Sequence, residues 1–130
     1  LMFPVKERER LLEQRIKAEQ RILLIEKNYP VSNQQMYWWL IYFKTECLLF
    51  MLALTKNESV RKAISHFYTH QRNIKPVIGG KELKDLGIKP GPIYTTILNK
   101  IIDEKLDEKL NTMEEEIEFA EHYASEHNLI

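Results

Sequence analysis

The chain has 130 residues, with 19 Lys and Arg against 19 Asp and Glu, so its formal charge is zero and no global field steers an acidic or basic partner toward it. One cysteine excludes an internal disulfide and makes a reducing cytosol the simpler, cytoplasmic home. The length suits a single helical domain over residues 1–130 and is short for an enzyme that must hold two substrates.

In chain order, the charged run Lys6 to Arg10 is unlike a secretory signal, and a start at Leu1 rather than Met suggests a piece of a longer chain. After Pro4, Val5 to Lys27 reads as one long amphipathic helix, with Leu12, Ile16, Glu19 and Leu23 at helical spacing. Arg8, Arg15 and Arg21 on it are either an RNA-facing rim or a solvated face with ion pairs. Ser32 can cap the next helix while Gln35 reaches back. From Met36 to Leu54 the chain is almost wholly apolar, but Lys44, Thr45 and Glu46 sit at its centre, and Lys or an acid costs about 2.5 to 3.5 kcal/mol in a bilayer. A buried core helix, or two with a kink near Lys44, is therefore expected, and no membrane partner. Trp38, Trp39, Tyr42 and Phe43 belong to that run and are expected to pack rather than stack on bases. Cys47 reads as a small core residue, without the basic neighbour that activates a thiol.

Asn57 can cap a third helix whose inner stripe is Val60, Ala63, Ile64, Phe67 and Tyr68. His66 and His70 have the spacing of a zinc-binding helix. Phe67 stands where a zinc protease needs its glutamate, and two ligands do not define a metal site.

The stretch Lys75 to Leu98 holds three of the five prolines and all four glycines, so it reads as a sharp corner. Leu83 and Leu86 share one face of a short helix that Gly87 can end in the left-handed conformation. Pro90 turns Lys89 away from helix, Gly91 lets the backbone bend, and Pro92 suits the first turn of a new helix. Free N–H groups at that helix start, with Lys89 beside them, favour an anion such as phosphate; a purely structural elbow is the other reading. Pro92 to Leu106 then carries Ile93, Ile97, Ile101 and Ile102 inward. Thr112 and Glu115 form a capping box for a last helix with Met113, Ile117, Ala120 and Ala124 inside and a solvated Glu114–Glu116 run.

Charge is distributed unevenly. Residues 61–100 hold eight Lys or Arg (Arg61, Lys62, Arg72, Lys75, Lys81, Lys84, Lys89, Lys100) against Glu82 and Asp85, whereas 111–130 hold six Glu and no Lys or Arg. Gly79-Gly80-Lys81-Glu82 lacks the spacing and hydroxyl of a phosphate-binding nucleotide loop, and there is no strand-borne pair of acids to hold two metal ions. No catalytic residue is expected in this stretch.

Gly80-Lys81-Glu82-Leu83, Leu86-Gly87, Pro90-Gly91-Pro92 and Ile97-Leu98 resemble the C-terminal helical region of bacterial tRNA nucleotidyltransferases of the poly(A) polymerase type, the CCA-adding and A-adding enzymes. Cys47 to Thr55, Val60-Arg61-Lys62, Ile64-Ser65, Leu106-Asp107-Glu108 and Thr112 to Glu116 extend the likeness over Thr45 to Phe119. It is closest to the branch with extra N-terminal modules. Glu82 stands for the usual Asp. Glu108 replaces a usual Gly, so the turn after Leu106 is expected to differ. Thr95 stands where one branch has Gly.

The resemblance implies an all-α bundle of about five to seven helices, with a Gly/Pro elbow before the penultimate long helix. It also implies a non-catalytic, tRNA-binding part of an enzyme whose Mg²⁺ and ATP or CTP sit in an N-terminal head outside this chain. On that reading Arg61, Lys62, Arg72, Lys75, Lys81, Lys84, Lys89 and Gly91 hold the RNA backbone. The alternatives are a packing or homodimerisation domain and a helix-hairpin-helix DNA-binding module, with a zinc enzyme last.

Overall fold

Short polar side chains set three of the helix starts. Ser32 Oγ accepts from Gln35 N at 3.1 Å, Asn57 Oδ1 from Ser59 N and Val60 N, and Thr112 Oγ1 from Glu115 N at 3.2 Å, each satisfying a donor the helix leaves open. The computed structural model describes residues 5–130. They form α1 (Val5–Asn28), α2 (Asn33–Leu40), α3 (Thr45–Leu54), α4 (Glu58–His66), α5 (Gly80–Asp85), α6 (Pro92–Leu106) and α7 (Met113–Glu126). A π-helical turn, Phe67–Gln71, continues α4. Among the described residues there is no strand, so the class is all-α as expected, and the helix start expected after Pro4 lies at the edge of the described residues.

Contacts group the chain into two compact units, one ending at Arg72 and the other running from Asn73 to Ile130. In the first, α1 packs on α3, α3 on α4, and α2 on α4 and the π-helical turn. Ala18, Ile22, Ile25, Leu40, Cys47, Leu48, Met51, Val60, Ile64 and Phe67 are among its buried residues. Of the two readings of the apolar run from Met36, one core helix or two parted near Lys44, the second holds: Lys44 is the residue before α3, and α2 and α3 are bent by 119°. No single helix among the described residues is long and apolar enough to cross a membrane. Tyr37 lies edge-on to Trp38 and Phe67, and burial, with Tyr42 adding to it, pushes its hydroxyl pKa up.

In the second unit, Ile78, Leu83, Ile88, Ile97, Ile101, Ala120 and Ala124 make one core. All three of its helices end alike. Gly87 N bonds Lys84 O and Ile88 N bonds Leu83 O; Glu108 N bonds Lys105 O and Lys109 N bonds Glu104 O; Asn128 N bonds Ser125 O and Leu129 N bonds Ala124 O. This is the paired-bond helix stop with one left-handed residue. That residue is Gly87 at φ 92°, Glu108 at φ 59° and Asn128 at φ 56°.

Several expectations are corrected. The inner stripe of α1 is Ala18, Ile22 and Ile25; Leu12, Ile16 and Leu23 are 60%, 45% and 65% exposed. Tyr42 is exposed rather than packed, and so is Met113. Arg15 and Arg21 lie over the rings of Phe50 and Phe43 at 5.3 and 5.8 Å, which neither the RNA-rim nor the ion-pair reading foresaw. The turn after Leu106 keeps the left-handed geometry with Glu108 in it, because the carbonyls at the end of α6 need those donors whatever the side chain. Glu116 is not solvated but fully buried.

Candidate nucleic-acid interface

The corner is built from α5 outward. Glu82 Oε2 accepts from Gly79 N at 2.8 Å, the half of a capping box that a glycine at the first position still permits. The Gly79 N–H holds the Glu82 carboxyl below the ordinary carboxylate range, aided by Glu82's own N–H, against burial and with a smaller contribution from Lys81. Leu83 is buried, so α5 is anchored by that face and turns Lys81, Lys84 and Asp85 to solvent. Gly87 then stops the helix, and Ile88, buried behind it, returns the chain. Tyr94 Oη donates to Ile88 O at 2.6 Å and ties the return to the first turn of α6.

Lys89, Pro90, Gly91 and Pro92 are all exposed. No side chain caps α6, and Pro92 has no N–H to give. The start of α6 therefore faces water with its partial positive charge open and a lysine three residues ahead. Gly91 does not supply a bend of the kind glycine alone allows. Its φ of 162° is extended backbone, and a methyl group there would meet nothing within 4 Å.

Gly91 aside, the seven cations singled out in the sequence divide into two kinds. Arg61 is built into the fold: its Nε donates to Leu52 O at 3.3 Å, one terminal nitrogen to Thr55 O at 2.6 Å, and the other to Glu58 Oε2 at 2.7 Å. It thereby closes the carbonyls at the end of α3. Arg72 donates to Thr45 Oγ1 at 3.2 Å and lies 4.2 Å over the Tyr68 ring. Lys62, Lys75, Lys81, Lys84 and Lys89 are exposed. Among the described residues no ion pair engages Lys62, Lys75, Lys84 or Lys89.

His66 and His70 stack with ring centroids 4.9 Å apart and are exposed. Among the described residues no three His, Cys, Asp or Glu side chains could hold a metal ion, so these residues do not fit the Mg²⁺ site that the resemblance places elsewhere.

One residue that positions the corner was missed from the sequence. Glu116 Oε1 accepts from Val77 N at 2.8 Å and Ile78 N at 3.2 Å, and Oε2 pairs with Lys105 Nζ at 2.8 Å. The carboxylate thus pins the segment that enters α5 onto α6 and α7. Its signal was the spacing of four that joins Glu116 to the buried Ala120 and Ala124.

No protein-family model matches the sequence, and no solved structure does. A curated relative, the A-adding tRNA nucleotidyltransferase of Geobacter sulfurreducens (strain ATCC 51573 / DSM 12127 / PCA), is 32% identical over 117 residues, 87% of this chain. Over those residues the chain is similar to a tRNA nucleotidyltransferase. It spans 13% of that relative's length. At 117 residues the match is longer than the Thr45 to Phe119 stretch on which the likeness to this family first rests, so it takes in residues outside it.

Proposed function

We propose that this chain is a non-catalytic, RNA-binding part of a tRNA nucleotidyltransferase, holding the sugar-phosphate backbone of tRNA while a catalytic head outside these residues extends the 3′ end. The supporting observation is the set of exposed lysines on α5 and the elbow, beside an uncapped helix start, in a chain related to an A-adding tRNA enzyme. Lys81, Lys84 and Lys89 lead the set, with Lys75 of the same unit joining them; Lys62 is a separate exposed candidate in the first unit. Arg61 and Arg72 are left out of the contact set, since their donors already serve the fold. Ammonium groups at the end of flexible stems meet phosphates as point charges, so the reading is of backbone and shape rather than base sequence. Mg²⁺ and ATP or CTP belong to the head on this reading, and the compartment is the cytoplasm.

The test is tRNA binding to the purified chain across a salt series, with duplex DNA as competitor. Engagement of about five phosphates gives a log–log slope of roughly −3.5 to −4.5, and tRNA outcompetes DNA. An affinity independent of salt overturns the proposal, and a preference for duplex DNA transfers the site to a hairpin-type DNA module.

A further inference from the structure

The exposed face of α1 has a regular pattern. Val5, Leu12, Ile16 and Leu23 are all exposed, and with Glu9 and Glu19 between them they recur at alternating steps of four and three. That is the 3.5-residue repeat of a helix–helix seam, running about 27 Å along the helix at 1.5 Å per residue. It is separate from the buried stripe of Ala18, Ile22 and Ile25, whose centre lies about 130° around the helix at 100° per residue. Beside it, Leu11, Leu12, Cys47 and Phe50 line an open groove between α1 and α3.

The charges within the seam decide what can cover it. The six positions are symmetric about residue 14, so two copies of α1 could pair antiparallel with Leu12 on Ile16 and Val5 on Leu23. That register sets Glu9 of each copy on Glu19 of the other. A parallel pair sets Glu9 on Glu9 and Glu19 on Glu19. Like charges meeting at an interface cost several kcal/mol, so either arrangement of two copies is disfavoured where the apolar spacing fits best.

We propose that the outward stripe of α1 is a docking seam for an amphipathic helix of different sequence, one carrying Lys or Arg at the two positions of its own apolar stripe that meet Glu9 and Glu19. The apolar residues supply burial, and the two acids set register and reject a second copy.

A charge-reversed copy of the same chain serves as the probe. Sedimentation is measured for the wild type, for the double variant Glu9→Lys/Glu19→Lys, and for their equimolar mixture, with circular dichroism confirming helix content. The wild type and the variant each run as monomers at ~50 µM, a concentration that fills a micromolar complex, and the mixture runs at twice the mass. Adding Leu12→Asp and Ile16→Asp to one component weakens the mixed species at least about tenfold, the equivalent of about 1.4 kcal/mol. A wild type that dimerises as tightly as the mixture makes a second copy the occupant and overturns the proposal. A mixture that stays monomeric, or a mixed species indifferent to the aspartates, overturns it as well.

Discussion

In the first unit, Arg61 lies across the end of α3 with three donors engaged, and Arg72 lies on Tyr68 with a bond to Thr45. In the second, Lys84 and Lys89 reach solvent with no ion pair among the described residues. The two regions look alike as basic sequence and differ in what the charges serve. A planar guanidinium has several donors at fixed angles and weak hydration, so it is readily built into carbonyl-rich ends of helices. An ammonium on a flexible stem stays hydrated and remains available to a partner. Basic residues counted along a sequence therefore overstate the charge available for binding, and arginines near helix ends account for most of the excess.

The buried exception in the second unit offers the hardest way to test this division. Glu116→Ala leaves Lys105 without its counter-charge and the Val77 and Ile78 N–H groups without an acceptor. It should destabilise the second unit by about 3 kcal/mol or more. Denaturant unfolding measures the loss, and amide exchange should place it in α5–α7; a loss below about 1 kcal/mol would remove the latch from the account.

Next comes the contrast itself. Arg61→Ala should lower stability by about 2 kcal/mol, because it strips a charged donor from two carbonyls, while changing tRNA affinity by less than about threefold. Lys81→Ala/Lys84→Ala/Lys89→Ala should leave stability within about 1 kcal/mol and flatten the salt slope of tRNA binding by about 2 to 3. If the two variants exchange phenotypes, the division between built-in arginines and free lysines is wrong.

A smaller effect separates the three helix stops. Glu108 holds the left-handed position that Gly87 fills without a side-chain penalty. Glu108→Gly should raise the melting midpoint, by the equivalent of about 1 kcal/mol, and leave tRNA binding unchanged.

The smallest is a pH effect at the start of α5. The folded state depresses the Glu82 pKa, so its contribution is whole above the ordinary carboxylate range and fades as pH falls through the lower folded value. Stability measured against pH should show this acid-side loss in the wild type and lack it in Glu82→Gln. Equal profiles would mean that the Gly79 bond adds nothing in solution.

Much of the fold was legible because its signals are local. Ser32, Asn57 and Thr112 cap where short polar side chains before a helix should, and Gly87 stops α5 where a residue at positive φ is needed. Lys44-Thr45-Glu46 in an apolar run left one helix or two open, and the chain parts there. The inner face of α1 was not legible, because Leu12-Ile16-Leu23 and Ala18-Ile22-Ile25 both satisfy helical spacing. Hydrophobicity favours the first set, yet packing chose the second, whose small Ala18 suits a close neighbour such as α3. Among the eight candidate binding residues, exposure kept the lysines available, while hydrogen bonds that only the folded chain contains engaged Arg61 and Arg72.

The order of residues by itself determined where several helices start and stop, that the class is all-α, and which kind of tRNA enzyme the chain resembles. Those properties rest on neighbours within a few positions or on the string of letters. Only the tertiary structure decided which face of α1 is covered, which of three successive glutamates is buried, and which cations are left for a partner. Long-range packing and distant hydrogen-bond acceptors make each of those choices, and they can overrule the local pattern, as on α1.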